Sequence, residues 1–135
     1  MRIPLIFLTL LFCTNANSTH SNDIMDVSLF YGSWSWETST NCVETYTFSK
    51  GGILQIKSGD EVTDNTFQII KAKEDNKFSK LTFTTTKDYG GKDCAYTEKD
   101  STGESAEMFV TIKFDIMFNC ATAEGSDCWQ LKKVK

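Results

Sequence analysis

The sequence predicts an all-β domain, seven to eight antiparallel strands closing as an up-and-down barrel or a strongly curled meander. Three observations predict it. Apolar side chains alternate with polar ones along most of the chain, turn residues separate the alternating runs, and the cysteines beyond Cys13 number four, an even count suited to disulfides. Composition agrees: 135 residues with 40% hydrophobic, 24% charged and a single proline fit one compact domain and exclude collagen-like and disordered chains.

The chain opens with Met1-Arg2, an apolar run from Ile3 to Phe12, and the small residues Thr14-Asn15-Ala16 before a polar stretch. Residues 1–16 therefore read as a signal peptide cleaved near Ala16, which places the mature protein in the periplasm or outside the cell. The apolar run is too short to cross a bilayer of about 30 Å as a helix, and no later window is long and apolar enough, so no membrane span is expected. Bulky Phe12 stands before Cys13 where lipidation needs a small residue, which leaves an anchor at Cys13 as a minor alternative. The sequon Asn17-Ser18-Thr19 abuts the cleavage site. Residues 17–30 form a flexible lead-in with at most a short helical turn from Asn22 to Phe30, and residues 31–135 form the barrel domain.

The strands follow in order from the alternation. Gly32-Ser33-Trp34-Ser35-Trp36 opens the series; Glu44/Tyr46/Phe48, Leu54/Ile56, Phe67/Ile69 and Leu81/Phe83 continue it; Trp129/Leu131 closes it. From Glu107 to Phe118 every even position is apolar, which predicts one long strand that turns Val110, Ile112, Phe114, Ile116 and Phe118 inward. Turn signals lie at Ser49–Gly52, Ser58–Glu61, Glu74–Lys77 and Asp88–Gly91. A meander of this kind protects its edges by closing the first strand onto the last.

Topology ranks the cysteine pairings. Cys42 opens the second strand near the rim that also holds the Asp88–Cys94 loop, while Cys120 and Cys128 flank the last hairpin, expected at the opposite rim. The predicted disulfides are Cys42–Cys94 and Cys120–Cys128. Zinc needs paired ligand spacings; no C-x₂-C occurs and His20 is the only histidine, so no metal site and no cofactor are expected. The Asp88/Asp93 loop matches no calcium-loop spacing.

Charge narrows the function. The formal charge is −4, and the only arginine, Arg2, leaves with the leader, so a nucleic-acid partner is excluded for want of a basic surface. No nucleophile elbow, phosphate loop or core histidine is present, and the expectation is a protein without catalytic residues. Glu44 shares a face with Tyr46 and Phe48 and either points into the barrel or sits at the rim in water, the rim being preferred. Glu37 is its nearest carboxylate partner across the first hairpin, should an acid pair exist.

Acids concentrate in the loops. Asp60 and Glu61 lie in one turn, and Asp88 and Asp93 in a longer loop that carries Tyr89, an aromatic placed to anchor a partner. These five residues are the predicted partner-binding surface, suited to a basic enzyme that an inhibitor or immunity-type protein would occlude.

Gly32-Ser33-Trp34, on the first strand of a meander that runs to the C-terminus, resembles the Gly-x-Trp signature of the lipocalin and calycin group, particularly small exported lipocalin-like domains. The resemblance implies that Trp34 packs at the barrel floor beneath a cation of the last strand, an arginine in the family. Here that strand carries Lys132, Lys133 and Lys135. It also implies an alternative function, carriage of a small apolar ligand, with Trp36, Tyr46, Phe48, Phe83 and Phe114 as pocket residues. Fatty-acid carriage is not implied, because the arginine and the helical lid that serve it are missing from the sequence.

Overall fold

The computed structural model describes residues 26–73 and 77–135. The leader, Cys13, the sequon and His20 lie outside the described residues, as does part of the Glu74–Lys77 turn. Among the described residues a single 3-10 turn, Val27–Phe30, precedes eight strands: β1 (Gly32–Glu37), β2 (Val43–Ser49), β3 (Ile53–Ser58), β4 (Glu61–Ile70), β5 (Ser79–Asp88), β6 (Ser105–Lys113), β7 (Ile116–Cys120) and β8 (Cys128–Lys133). Each strand pairs antiparallel with its sequence neighbour, and β1 pairs with β8, closing the barrel. The even count leaves no open edge, which removes the usual route to edge-to-edge association.

The predicted long strand from Glu107 to Phe118 is two strands. Lys113 pairs with Ile116, so Phe114 and Asp115 form a two-residue hairpin turn. The turn inverts the parity of the inward face: Met108 and Val110 are buried on β6, whereas Met117 and Asn119 are buried on β7. Ile116 and Phe118 therefore face outward, and Phe114 is 98% exposed. Neither central residue is a glycine or asparagine, the usual marks of such a turn.

This extra hairpin also moves a disulfide. Both predicted pairs are present, Cys42–Cys94 and Cys120–Cys128. With one more reversal in the chain, however, Cys120 and Cys128 stand at strand ends directed to the same end as Cys42, not the opposite one. By loop length, the wider bridge stabilises the fold by about 4 kcal/mol and the narrower by about 2.5 kcal/mol through restriction of the unfolded chain.

The floor of the barrel is apolar and filled. Phe30, Trp34, Phe48, Leu54, Leu81, Val110, Met117 and Leu131 are all essentially inaccessible to water. Phe48 meets Phe67 edge-on at 5.1 Å and Phe30 at 5.9 Å. The fold thus begins before Tyr31: Asp26 caps the 3-10 turn through Ser28 N at 2.9 Å, and Phe30, the last residue of the expected flexible lead-in, plugs the floor. Trp34 Nε1 donates to Phe30 O at 2.8 Å, so the buried indole is satisfied. Lys133 Nζ stands 4.2 Å from the centre of a Trp34 ring and also donates to Tyr31 O. Gly32 makes this approach possible. Its φ is +106°, and a Cβ there would come within 3.1 Å of Lys133 Nζ.

Candidate functional site

Above the floor, the inward positions turn polar. Strand register lines up Trp36, Glu44, Ser58 and Glu61 as successive partners across β1, β2, β3 and β4. Thr63, Asn65 and Thr85 are buried close by, held together by a Thr85 to Asn65 hydrogen bond of 2.8 Å. Each inward hydroxyl or amide that finds a partner avoids the cost of an orphaned buried group, and the interior becomes hydrophilic toward this end.

Glu44 is the centre of the arrangement, and it points into the barrel and not into open water. Its Oε2 accepts from Trp36 Nε1 at 2.9 Å and Tyr46 OH at 3.2 Å, while Oε1 accepts from Ser58 Oγ at 2.8 Å. Burial, and then the adjacent Glu44 carboxylate, hold the Tyr46 phenol far above its ordinary pKa, so it remains a donor. Glu37, exposed and paired with Val43, lies on the other face of the hairpin, so the two glutamates form no acid pair.

A long connection, residues 89–104, replaces the tight hairpin expected at Asp88–Gly91 and folds over this end. Ser58 Oγ accepts from Cys94 N at 3.0 Å, and Asp60 N donates to Lys92 O at 2.9 Å. The Cys42–Cys94 bridge fastens the same segment to β2. Gly91 lies so close to the β3–β4 turn that a Cβ would stand 2.5 Å from Asp60 O, at a φ of +104°. Asp88 and Asp93 give the connection its shape: Asp88 accepts from Ser101 N at 2.9 Å and Gly90 N at 2.7 Å, and Asp93 from Ala95 N at 2.9 Å and Thr97 N at 2.7 Å. These bonds hold the Asp88 carboxyl below its ordinary pKa.

The five rim residues predicted from sequence thus come together, in different roles. Glu61 and Asp93 line a cavity of about 320 Å³ whose wall also includes Glu44, Ile56, Ser58, Thr63, Phe83, Thr85, Lys99 and Glu104. Asp88 and Tyr89 border a neighbouring depression, and Asp60 is exposed in the turn. Tyr89 is 56% exposed yet fixed, its hydroxyl 2.8 Å from Asp64 Oδ2 and its ring 4.5 Å from Lys87 Nζ. Of the pocket residues predicted for an apolar ligand, Phe83 lines the cavity, Tyr46 and Trp36 bond to its Glu44, Phe48 is sealed in the floor, and Phe114 lies outside on its turn.

Charge in the cavity is one-sided. Among the described residues Lys99 is the sole cation on its wall, and Glu104 already pairs with it. Glu61 registers the excess: burial first, then the charges of Asp88 and Asp93, raise its carboxyl above the ordinary value. Contact with Glu61 lowers Asp88 in turn, so Glu61 is the weaker acid of the two. Among the described residues no group of three or more His, Cys, Asp or Glu side chains is arranged to hold a metal ion.

Strand parity turns Glu61 inward: Phe67 and Ile69 face inward, so positions 65, 63 and 61 do as well. The same extension from Leu54 and Ile56 reaches Ser58. Lys99 and Glu104 lie on an irregular loop whose acids, from Glu98 to Glu104, mark a charged rim, but without strand parity nothing in the sequence aims either side chain. No protein-family model matches this chain, and no curated protein or solved structure is significantly similar to it.

Proposed function

We propose that this protein is an exported, non-catalytic binding protein of lipocalin-like layout whose acidic mouth receives a basic side chain of a protein partner, as an inhibitor or immunity protein of a basic enzyme would. One observation carries the reading: Glu44, Glu61 and Asp93 converge on a cavity whose only cation among the described residues is already paired. A preorganised anionic recess gains most from a partner's lysine or arginine, which supplies the missing charge without rearranging the recess. The leader pattern and the two disulfides support export. Trp34 beneath Lys133 supports the lipocalin-like layout, lysine standing where the family has arginine.

Carriage of a small apolar ligand is less well supported. The lower interior is occupied by side chains, and the open part is lined by carboxylates and hydroxyls that an apolar ligand would strip of water.

The test is binding of basic cell-wall hydrolases, lysozyme among them, to the immobilised protein across a salt series. Binding should weaken steeply with salt, and the Glu44→Gln/Glu61→Gln pair should weaken it at least about tenfold. Equal binding of acidic hydrolases, or undiminished binding by the double variant, would overturn the reading.

A further inference from the structure

The end of the barrel away from the mouth has a different surface. The β6–β7 hairpin turns on Phe114 and Asp115, and Phe114 adopts a φ of +57° with its ring 98% exposed. Positive φ is disfavoured for a bulky side chain, and a ring left in water forgoes burial. Asparagine or glycine would build the turn better, so turn formation does not account for this residue. The tip is held in place, because Asp115 O accepts from Lys133 N at 3.0 Å.

Directly behind the tip, register sets Lys113, Ile116 and Lys132 side by side on the outer surface of β6, β7 and β8. Neither lysine makes an ion pair among the described residues. Leu29 and Val134, both exposed, stand at the same end. A projecting aromatic tip flanked by unpaired lysines is thus separated by the length of the barrel from the acidic mouth.

We propose that this end is a peripheral membrane contact, in which Phe114 inserts into the interfacial layer of a bilayer and Lys113 and Lys132 meet anionic lipid headgroups. Charge complementarity selects the occupant: Lys113 and Lys132 outweigh the one carboxylate of the tip, Asp115, and face the anionic surface, while the acidic mouth is turned away from it. The shape agrees. A ring projecting from a narrow hairpin, with Leu29 and Val134 exposed at the same end, suits insertion into a soft interface. The mouth would then be presented to solution, free for its own partner.

The experiment is co-sedimentation with phosphatidylcholine vesicles prepared with and without phosphatidylglycerol, at low salt. The protein is used free of the apolar Ile3–Phe12 segment, which would bind lipid by itself. Binding is expected only to the anionic vesicles, falling about fivefold for each of Lys113→Gln and Lys132→Gln. Phe114→Asn should reduce it by about tenfold or more. Asparagine suits the positive φ, so the melting temperature of Phe114→Asn should not fall, and lost binding would not reflect lost folding. No binding to anionic vesicles, or full binding by Phe114→Asn, would overturn the proposal. So would a dimer in solution that Phe114→Asn abolishes, since that result would assign the tip to a second copy of the chain.

Discussion

The floor and the mouth of this barrel are built from the same strands and solve opposite problems. At the floor, Phe30, Trp34, Phe48, Leu54 and Leu131 exclude water, and the Trp34 indole finds the Phe30 carbonyl. At the mouth, alternation continues, but the inward residues become Glu44, Ser58, Glu61, Thr63 and Thr85, with unbalanced charge. Stability resides where apolar area is buried, and that concentration lets the other end hold carboxylates whose repulsion opposes folding. The disulfide Cys42–Cys94 and the bonds of Asp88 and Asp93 hold the mouth in shape in place of a core.

Substitutions at the floor break this contrast most severely. Trp34→Ala removes the largest fully buried side chain, leaves Lys133 above a void and should cost about 3–5 kcal/mol in urea denaturation. A cost below about 1 kcal/mol would mean that the floor is not where the fold is held. Gly32→Ala is the finer probe. It forces a Cβ into positive φ against Lys133 Nζ and should cost about 1–3 kcal/mol, read as a lower denaturation midpoint with an unchanged slope. Full stability in that variant would detach the Gly32-Ser33-Trp34 pattern from the lysine that covers Trp34.

Much of this was legible in the sequence, and the exceptions have physical causes. Period-two alternation placed Trp34, Tyr46, Phe67 and Leu81 inward because a sheet with one buried face demands it. The even cysteine count and the short last hairpin paired the sulfurs correctly, although the assumed chain direction put Cys120–Cys128 at the wrong end. The same reasoning misread Glu107–Phe118, since the apolar even positions 114, 116 and 118 continue past a turn that no glycine or asparagine marks. Met117, apolar at an odd position beyond the turn, was a sign that the parity had changed, but Phe109 before the turn breaks the pattern in the same way. The candidate site was half legible. Its acids stood out, but Ser58, Thr63 and Thr85 are ordinary strand residues whose burial depends on the closure of the barrel. Phe48 was assigned to a pocket because parity gives the direction of a side chain and not its depth.

The account rests on Glu61 being a strained charge at the mouth, kept for binding and not for folding. Its folded pKa is raised above the ordinary 4.5, so its contribution to stability is present below that value and is lost as pH rises through the folded pKa. Glu61→Gln keeps a donor toward Asp88 and carries no charge. The most direct measurement is the melting temperature of Glu61→Gln minus that of the parent protein from pH 4 to pH 8. The account predicts a difference near zero at the acid end that becomes positive as pH rises. A variant that melts below the parent at pH 7 would contradict it.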